Sequence, residues 1–204
     1  MSRVIPMLLG VAGLAAANVL AGRMITGPLD DLTAEHRLNA DLRGLGGPRV
    51  HRSAAAVSRS SDTSRAIALG LALTGVLAAR GGGRAAAGVP GLAMALASGT
   101  HVLSSSLVGR ERPGLERLGT VQPTSSFPSG HVGAMTALAV VLGGMAGSHP
   151  RPARVLVRCG LAGYLGALGW SRLYNGQHYA SDVIAGYVNG AVCGRLAQRA
   201  LRLP

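Results

Sequence analysis

His178 and Asp182 stand four residues apart, so on a helix they share one face. A carboxylate in that position can accept a hydrogen bond from one imidazole nitrogen. That bond fixes the tautomer and leaves the second nitrogen free to attack an electrophile. Arg172 follows Ser171, and Arg112 precedes Pro113 in the run Gly109-Arg110-Glu111-Arg112-Pro113. Guanidinium forks suit phosphate oxygens. Ser129 and Gly130 come just before an apolar run, where backbone N–H groups and the helix dipole favour an anion. His131, next in line, can protonate a leaving oxygen. Two histidines, a carboxylate, arginines and an anion nest make the parts of a phosphoryl-transfer site.

Each part alone has an ordinary reading. A His/Asp pair can be a helix-surface contact, Arg-Pro a turn, and Pro-Ser-Gly-His a helix cap. A metal set of His131, His178 and Asp182 is conceivable, but Arg112 and Arg172 would repel a cation, so no metal and no cofactor are expected. Cys159 and Cys193 lie in apolar stretches without ligand spacing and read as buried small hydrophobes.

The positioning elements are apolar. Charged residues are 14% of the 204, against about 25% in soluble domains. The 20 basic residues are all arginine and set a net charge of +12. No arginine-rich helix with interleaved aromatics occurs, which argues against nucleic acid. Apolar runs cover 4–21, 66–79, 85–108 (interrupted by Pro90), 132–147, 155–170 and 183–196. The first could serve as a signal segment, but its length and the runs that follow favour a retained span. One chain of this length cannot bury six such helices in itself, so lipid is the expected solvent. The expected fold is an all-α membrane bundle of about six transmembrane helices, a single domain over 1–204. A polar segment at 23–65, weakly amphipathic near 29–45, is expected to lie at the membrane surface. The clusters at 109–113, 126–131 and 171–182 all fall at span ends that an alternating topology places on one face.

These clusters resemble the three-part signature of the type 2 phosphatidic acid phosphatase superfamily, relatives of the vanadium haloperoxidases. Arg112-Pro113 matches the end of the first motif. Pro128 to His131 matches the second in full. Ser171, Arg172, His178 and Asp182 match the third at its spacing. One position departs: the lysine of the first motif falls at Ser105. The resemblance implies a metal-independent phosphatase acting on a lipid phosphate or polyprenyl (di)phosphate, with membrane lipids around it. His178 would be the nucleophile, giving a phosphohistidine, with Asp182 its support and His131 the acid. Arg112, Ser129, Gly130 and Arg172 would hold phosphoryl oxygens. Arg110 is expected to swing toward the same anion in place of the lysine. A different class of reading is a non-catalytic lipid-phosphate binder or transporter-like protein with an inherited site. Arg80, Arg84, Arg151, Arg154, Arg195, Arg199 and Arg202 would face inward under the positive-inside tendency, although the seven arginines of 23–65 point the other way. The expected location is a bacterial cytoplasmic membrane with the site on its extracytoplasmic face.

Overall fold

The computed structural model describes residues 3–29, 33–81, 83–119 and 122–201. They form an all-helical membrane bundle of α1 (Val4–Thr26), α2 (Thr33–Gly44), α3 (Pro48–Ser60), α4 (Thr63–Ala79), α5 (Gly83–Val108), α6 (Gly130–Met145), α7 (Arg151–Tyr174) and α8 (Ala180–Leu201). A 3-10 turn, Ala146–Ser148, ends α6. Helices α5, α6 and α8 make a central triangle. Helix α1 lies against α5 and α8, α4 against α5, and α7 against α6, while α2 and α3 pack on α7.

Gly186, Gly190 and Gly194 explain how closely α8 approaches α6. They recur every four residues and so form one stripe. A Cβ at Gly186 would lie 2.7 Å from the Ser129 carbonyl oxygen, and one at Gly194 2.8 Å from that of Ala137. Apolar side chains gain little by leaving lipid, so helices in a membrane associate through close packing of small residues. This seam seats the start of α8 against the start of α6, which are the two ends that carry Asp182 and Ser129 to His131. A polar stitch adds to it: Asn189 Nδ2 donates to the Ala97 carbonyl at 2.9 Å, and Asn18 Nδ2 to Asn189 Oδ1 at 3.4 Å.

Helices α1 and α5, and α6 with its 3-10 turn, are long and apolar enough to cross a membrane; α3 and α4, bent by 50°, meet that standard only together. Helices α7 and α8 have a span's length, but α7 opens with Arg151, Arg154 and Arg158. Exposed Leu9, Leu71, Leu156 and Ile184 give the bundle an apolar exterior, as lipid requires.

Several boundaries differ from the sequence reading. The first span runs on to Thr26, and α5 continues unbroken through buried Pro90. A membrane bundle tolerates such a proline because neighbouring groups take up the freed carbonyl. The polar segment holds two helices, α2 and α3, the second opened by Pro48 at its first position. Cys193 is buried, but Cys159 is exposed on the outer face of α7, where lipid replaces a protein core.

Gly190→Ala should lower stability by roughly 1–3 kcal/mol, since its Cβ would fall on the Gly133 carbonyl and within 2.9 Å of the Ala137 nitrogen. Gly163→Ala, with open space around it, should not. Thermal unfolding in detergent compares the two, and equal melting points would remove the seam argument.

Candidate active site

His178 lies in the 175–179 connection between α7 and α8, and its imidazole is buried. Its Nδ1 donates to the Ser126 carbonyl at 2.8 Å. A carbonyl can only accept, so Nδ1 carries the hydrogen and Nε2 keeps the lone pair. Nε2 faces two guanidiniums, 3.5 Å from Arg112 Nη1 and 3.4 Å from Arg172 Nη2.

Asp182 supports this arrangement differently from the expectation. Helix α8 begins at Ala180, so His178 precedes the helix and the two residues do not share a helical face. Asp182 Oδ2 is 3.7 Å from His178 Nδ1, beyond hydrogen-bond range. It accepts instead from the Tyr179 amide at 2.8 Å and from the Ser126 hydroxyl. The first bond is the backward half of a capping box, a third-position acid satisfying the amide of the cap residue. Ser126 therefore links the pair: its hydroxyl holds the carboxylate and its carbonyl holds the imidazole.

Arg110 is placed elsewhere than expected. Its Nη1 lies 2.7 Å from both Asp182 Oδ1 and Ser181 Oγ, and its Nη2 3.0 Å from Glu35 Oε2. It is buried over the Tyr179 ring, on the far side of Asp182, and does not line the cavity at Nε2. Two carboxylates offer a buried guanidinium more than a swing toward the cavity would.

The other expected residues are brought together. Arg112 is held by the carbonyls of Gln177 (2.6 Å), Thr124 (3.0 Å) and Ser125 (3.3 Å). Arg172 donates to Ser58 Oγ at 2.7 Å. The Ser129 amide donates to the Asp182 carbonyl at 2.9 Å, joining the starts of α6 and α8. Among the described residues, Arg112 Nε, Arg172 Nε, Ser129 Oγ and His131 Nε2 are buried without a hydrogen-bond partner. Buried polar atoms are rarely left so. These are four of nine such atoms among the described residues, and their grouping on motif residues suits a ligand that accepts several hydrogen bonds.

A cavity of about 610 Å³ opens here. Arg112, Gly130, His131, His178 and His101 line its polar end, while Ala66, Ile67, Gly70 and Leu71 of α4 and Met94 and Ala95 of α5 line the remainder. Burial, then Arg172 and Arg112, hold the His178 imidazole well below the ordinary histidine range; the Ser126 carbonyl opposes them. Burial and then Arg117 draw the Arg112 guanidinium down to about 10, with Asp182 opposing. His178 is thus neutral and Arg112 charged near neutral pH. No group of three or more His, Cys, Asp or Glu that could hold a metal occurs among the described residues.

Sequence reasoning assigned no role to Glu35, Ser58, Asp62, His101 or Ser126. Asp62 Oδ1 stands 3.9 Å from His131 Nε2. Glu35 also accepts from the Ser181 amide at 2.6 Å and hydroxyl at 2.8 Å. The available signal was scarcity: eight acidic residues face 20 arginines, so any buried arginine has few carboxylates to choose from.

The profile of the PAP2 superfamily matches residues 86–202. The chain belongs to the PAP2 superfamily. Among solved structures, this PAP2 chain is similar to a transmembrane PAP2 type phosphatidylglycerolphosphate phosphatase from Bacillus subtilis. That likeness has a TM-score of 0.76 at 18% identity, over 97% of this chain and 95% of the other. It is also similar to LpxE of Aquifex aeolicus, with a TM-score of 0.62 at 20% identity, over 79% of this chain and 92% of the other. A search of curated proteins finds no match. The matched PAP2 region holds all three motifs, whereas Glu35, Asn39, Ser58 and Asp62, which brace them, precede it.

An unfolded histidine takes up a proton near pH 6.5, but folded His178 does so only well below that. The unfolded chain then binds the extra proton, so stability falls as pH drops through and below about 6.5. His178→Asn should therefore lose less melting temperature than the unaltered protein between about pH 7.5 and 5. Parallel losses would show that His178 is not held neutral by the fold.

Proposed function

We propose that this PAP2 chain is a membrane lipid phosphatase that hydrolyses a lipid phosphate or polyprenyl (di)phosphate through a phosphohistidine at His178. One observation carries the reading. A lone-pair nitrogen stands between two guanidiniums at the polar end of a cavity whose remaining walls are mostly apolar. The walls run from Thr63 to Thr74 on α4 and from Gly91 to Val102 on α5. At the α-helical rise that is a depth of about 16 Å, close to one leaflet of a hydrocarbon core about 30 Å thick. A lipid tail fits beside a phosphate held at the interface.

In the first step His178 Nε2 attacks phosphorus; the P–N bond forms as the P–O bond to the leaving group breaks. His131 gives its proton to the leaving oxygen. The incoming dianion itself favours the protonated form of His131. Arg112, Arg172, Ser129 and the Gly130 N–H hold the phosphoryl oxygens as charge builds on them. Water then attacks phosphorus, His131 takes its proton, and the P–N bond breaks to free phosphate and His178. Positioning and positive charge supply the catalysis, so no metal is required.

His178→Ala should abolish turnover while the protein still inserts, and acid-quenched labelling should trap phosphate on the unaltered protein alone. Wild-type turnover by His178→Ala would end this mechanism. Activity should persist in a chelator; loss reversed by Mg²⁺ or Zn²⁺ would show a metal enzyme.

We place the site on the extracytoplasmic face of a bacterial cytoplasmic membrane. Arg80, Arg84, Arg151, Arg154, Arg195 and Arg199 gather at the opposite end of the bundle, where Arg3 Nη1 also meets the Arg199 carbonyl at 3.2 Å. Arginines at the site's own end are partly committed to the fold, as Arg43 is to the Tyr174 and Glu116 carbonyls. With Cys159 and Cys193 replaced, Arg117→Cys should react with an impermeant thiol reagent in intact cells. Labelling only after lysis would put the site on the cytoplasmic face.

A further inference from the structure

The first-motif lysine position is Ser105, buried and uncharged, with its carbonyl accepting from Ser125 Oγ at 2.7 Å. Arg110 serves Asp182 and Glu35 and does not make up the loss. His101 stands one turn before Ser105 on α5 and so on the same face. Its ring crosses to the second motif: Nδ1 lies 2.8 Å from the Pro128 carbonyl. That carbonyl can only accept, so Nδ1 holds the hydrogen and Nε2 is the unprotonated edge. The same edge lies against the anion nest. A Cβ added at Gly130 would sit 2.8 Å from His101 Nε2 and 2.7 Å from Cδ2. His101 also lines the cavity with Arg112, His131 and His178.

We propose that His101 is the third cationic ligand of the phosphoryl group, taking up a proton at Nε2 as the dianion enters and donating that hydrogen to a phosphoryl oxygen. This rests on the phosphatase reading only in that the cavity holds a phosphoryl-like dianion. Arg112 from the 109–119 loop, His131 and His178 share the cavity wall with the ring, with Asp62 beyond His131. An entering dianion brings two negative charges, the partner that a proton at Nε2 requires. Anion binding and proton uptake are therefore linked, and each favours the other. A lysine would be charged beforehand; histidine makes binding depend on pH instead.

The probe is sulfate, which keeps its double charge across the range used, so any pH dependence belongs to the protein. Isothermal titration of the full chain in detergent, in two buffers of different ionisation heat, counts protons without needing turnover. The unaltered protein should take up as many as two protons per sulfate, one at His131 and one at His101, and its Kd should fall by up to about a hundredfold per pH unit as pH drops from about 8 to 6. His101→Asn keeps an amide donor near the Nδ1 position for the Pro128 carbonyl and lacks Nε2. It should bind more weakly at the low end, take up about one proton fewer per sulfate and lose up to about tenfold per unit from its pH slope, keeping only the His131 contribution. Adding Ser105→Lys to it should restore affinity while the slope and proton count stay reduced. An unaltered pH slope and proton count in His101→Asn would assign the proton to His131 or His178 and overturn the proposal, as would a flat profile in the unaltered protein. No sulfate binding at any pH would instead overturn the phosphate-site reading itself.

Discussion

The buried carboxylate of Asp182 is the constraint from which the site is built. A charge fully removed from water is tolerated only when paired and hydrogen-bonded. Asp182 meets that demand with Arg110 on one oxygen and with Ser126 Oγ and the Tyr179 amide on the other. Each partner comes from a different stretch of chain. Arg110 and Ser126 bracket the loop between α5 and α6, and the Ser126 amide closes on the Arg110 carbonyl at 2.9 Å. Tyr179 ends the turn that carries His178. Satisfying one carboxylate thus gathers the loop, His178 and the start of α8.

Two other devices supply what the carboxylate cannot. The glycine seam fixes how near α8 comes to α6, and with it the separation of His178 from the Ser129–Gly130 nest. Helix α2 then clamps the assembly. Asn39 Nδ2 donates to the carbonyls of Leu173 (2.8 Å) and His178 (3.0 Å), while Arg43 reaches the carbonyls of Tyr174 and Glu116. The turn between α7 and α8 is buried and carries polar Asn175, Gln177 and His178, so these bonds satisfy and hold its backbone.

What was legible in the sequence follows from the same physics. Apolar runs mark lipid-facing helices because lipid demands them, and the motif residues announce their chemistry by type and spacing. The relation between His178 and Asp182 was not legible, because counting four residues assumes a helix through both, and α8 starts between them. Arg110 was misplaced for a related reason. The missing lysine at Ser105 suggested a phosphate role for it, but its partner Glu35 lies 75 residues away on a helix that read as a surface element. Asn39 looked like one more polar residue in a polar stretch, yet it is fully buried. Long-range hydrogen bonds leave no local pattern, so such braces emerge only once the helices are assembled.

The three arginines also differ in what holds them, and the difference separates scaffold from site. Arg110 lies between two carboxylates, so its charge is spent inside the fold. The hydrogen bonds of Arg112 go to backbone carbonyls and that of Arg172 to a serine hydroxyl, apart from their approach to His178 Nε2. Neutral acceptors orient a guanidinium without cancelling its charge. Arg112 therefore lines the cavity, and Arg172 stands beside His178 Nε2, with their fields largely intact in surroundings where charge is poorly screened. Burial and the same field keep His178 neutral, with its Nε2 lone pair toward both guanidiniums. Under the proposed phosphatase reading, the arrangement that would attract a phosphoryl dianion would thus also prepare the nitrogen that attacks it.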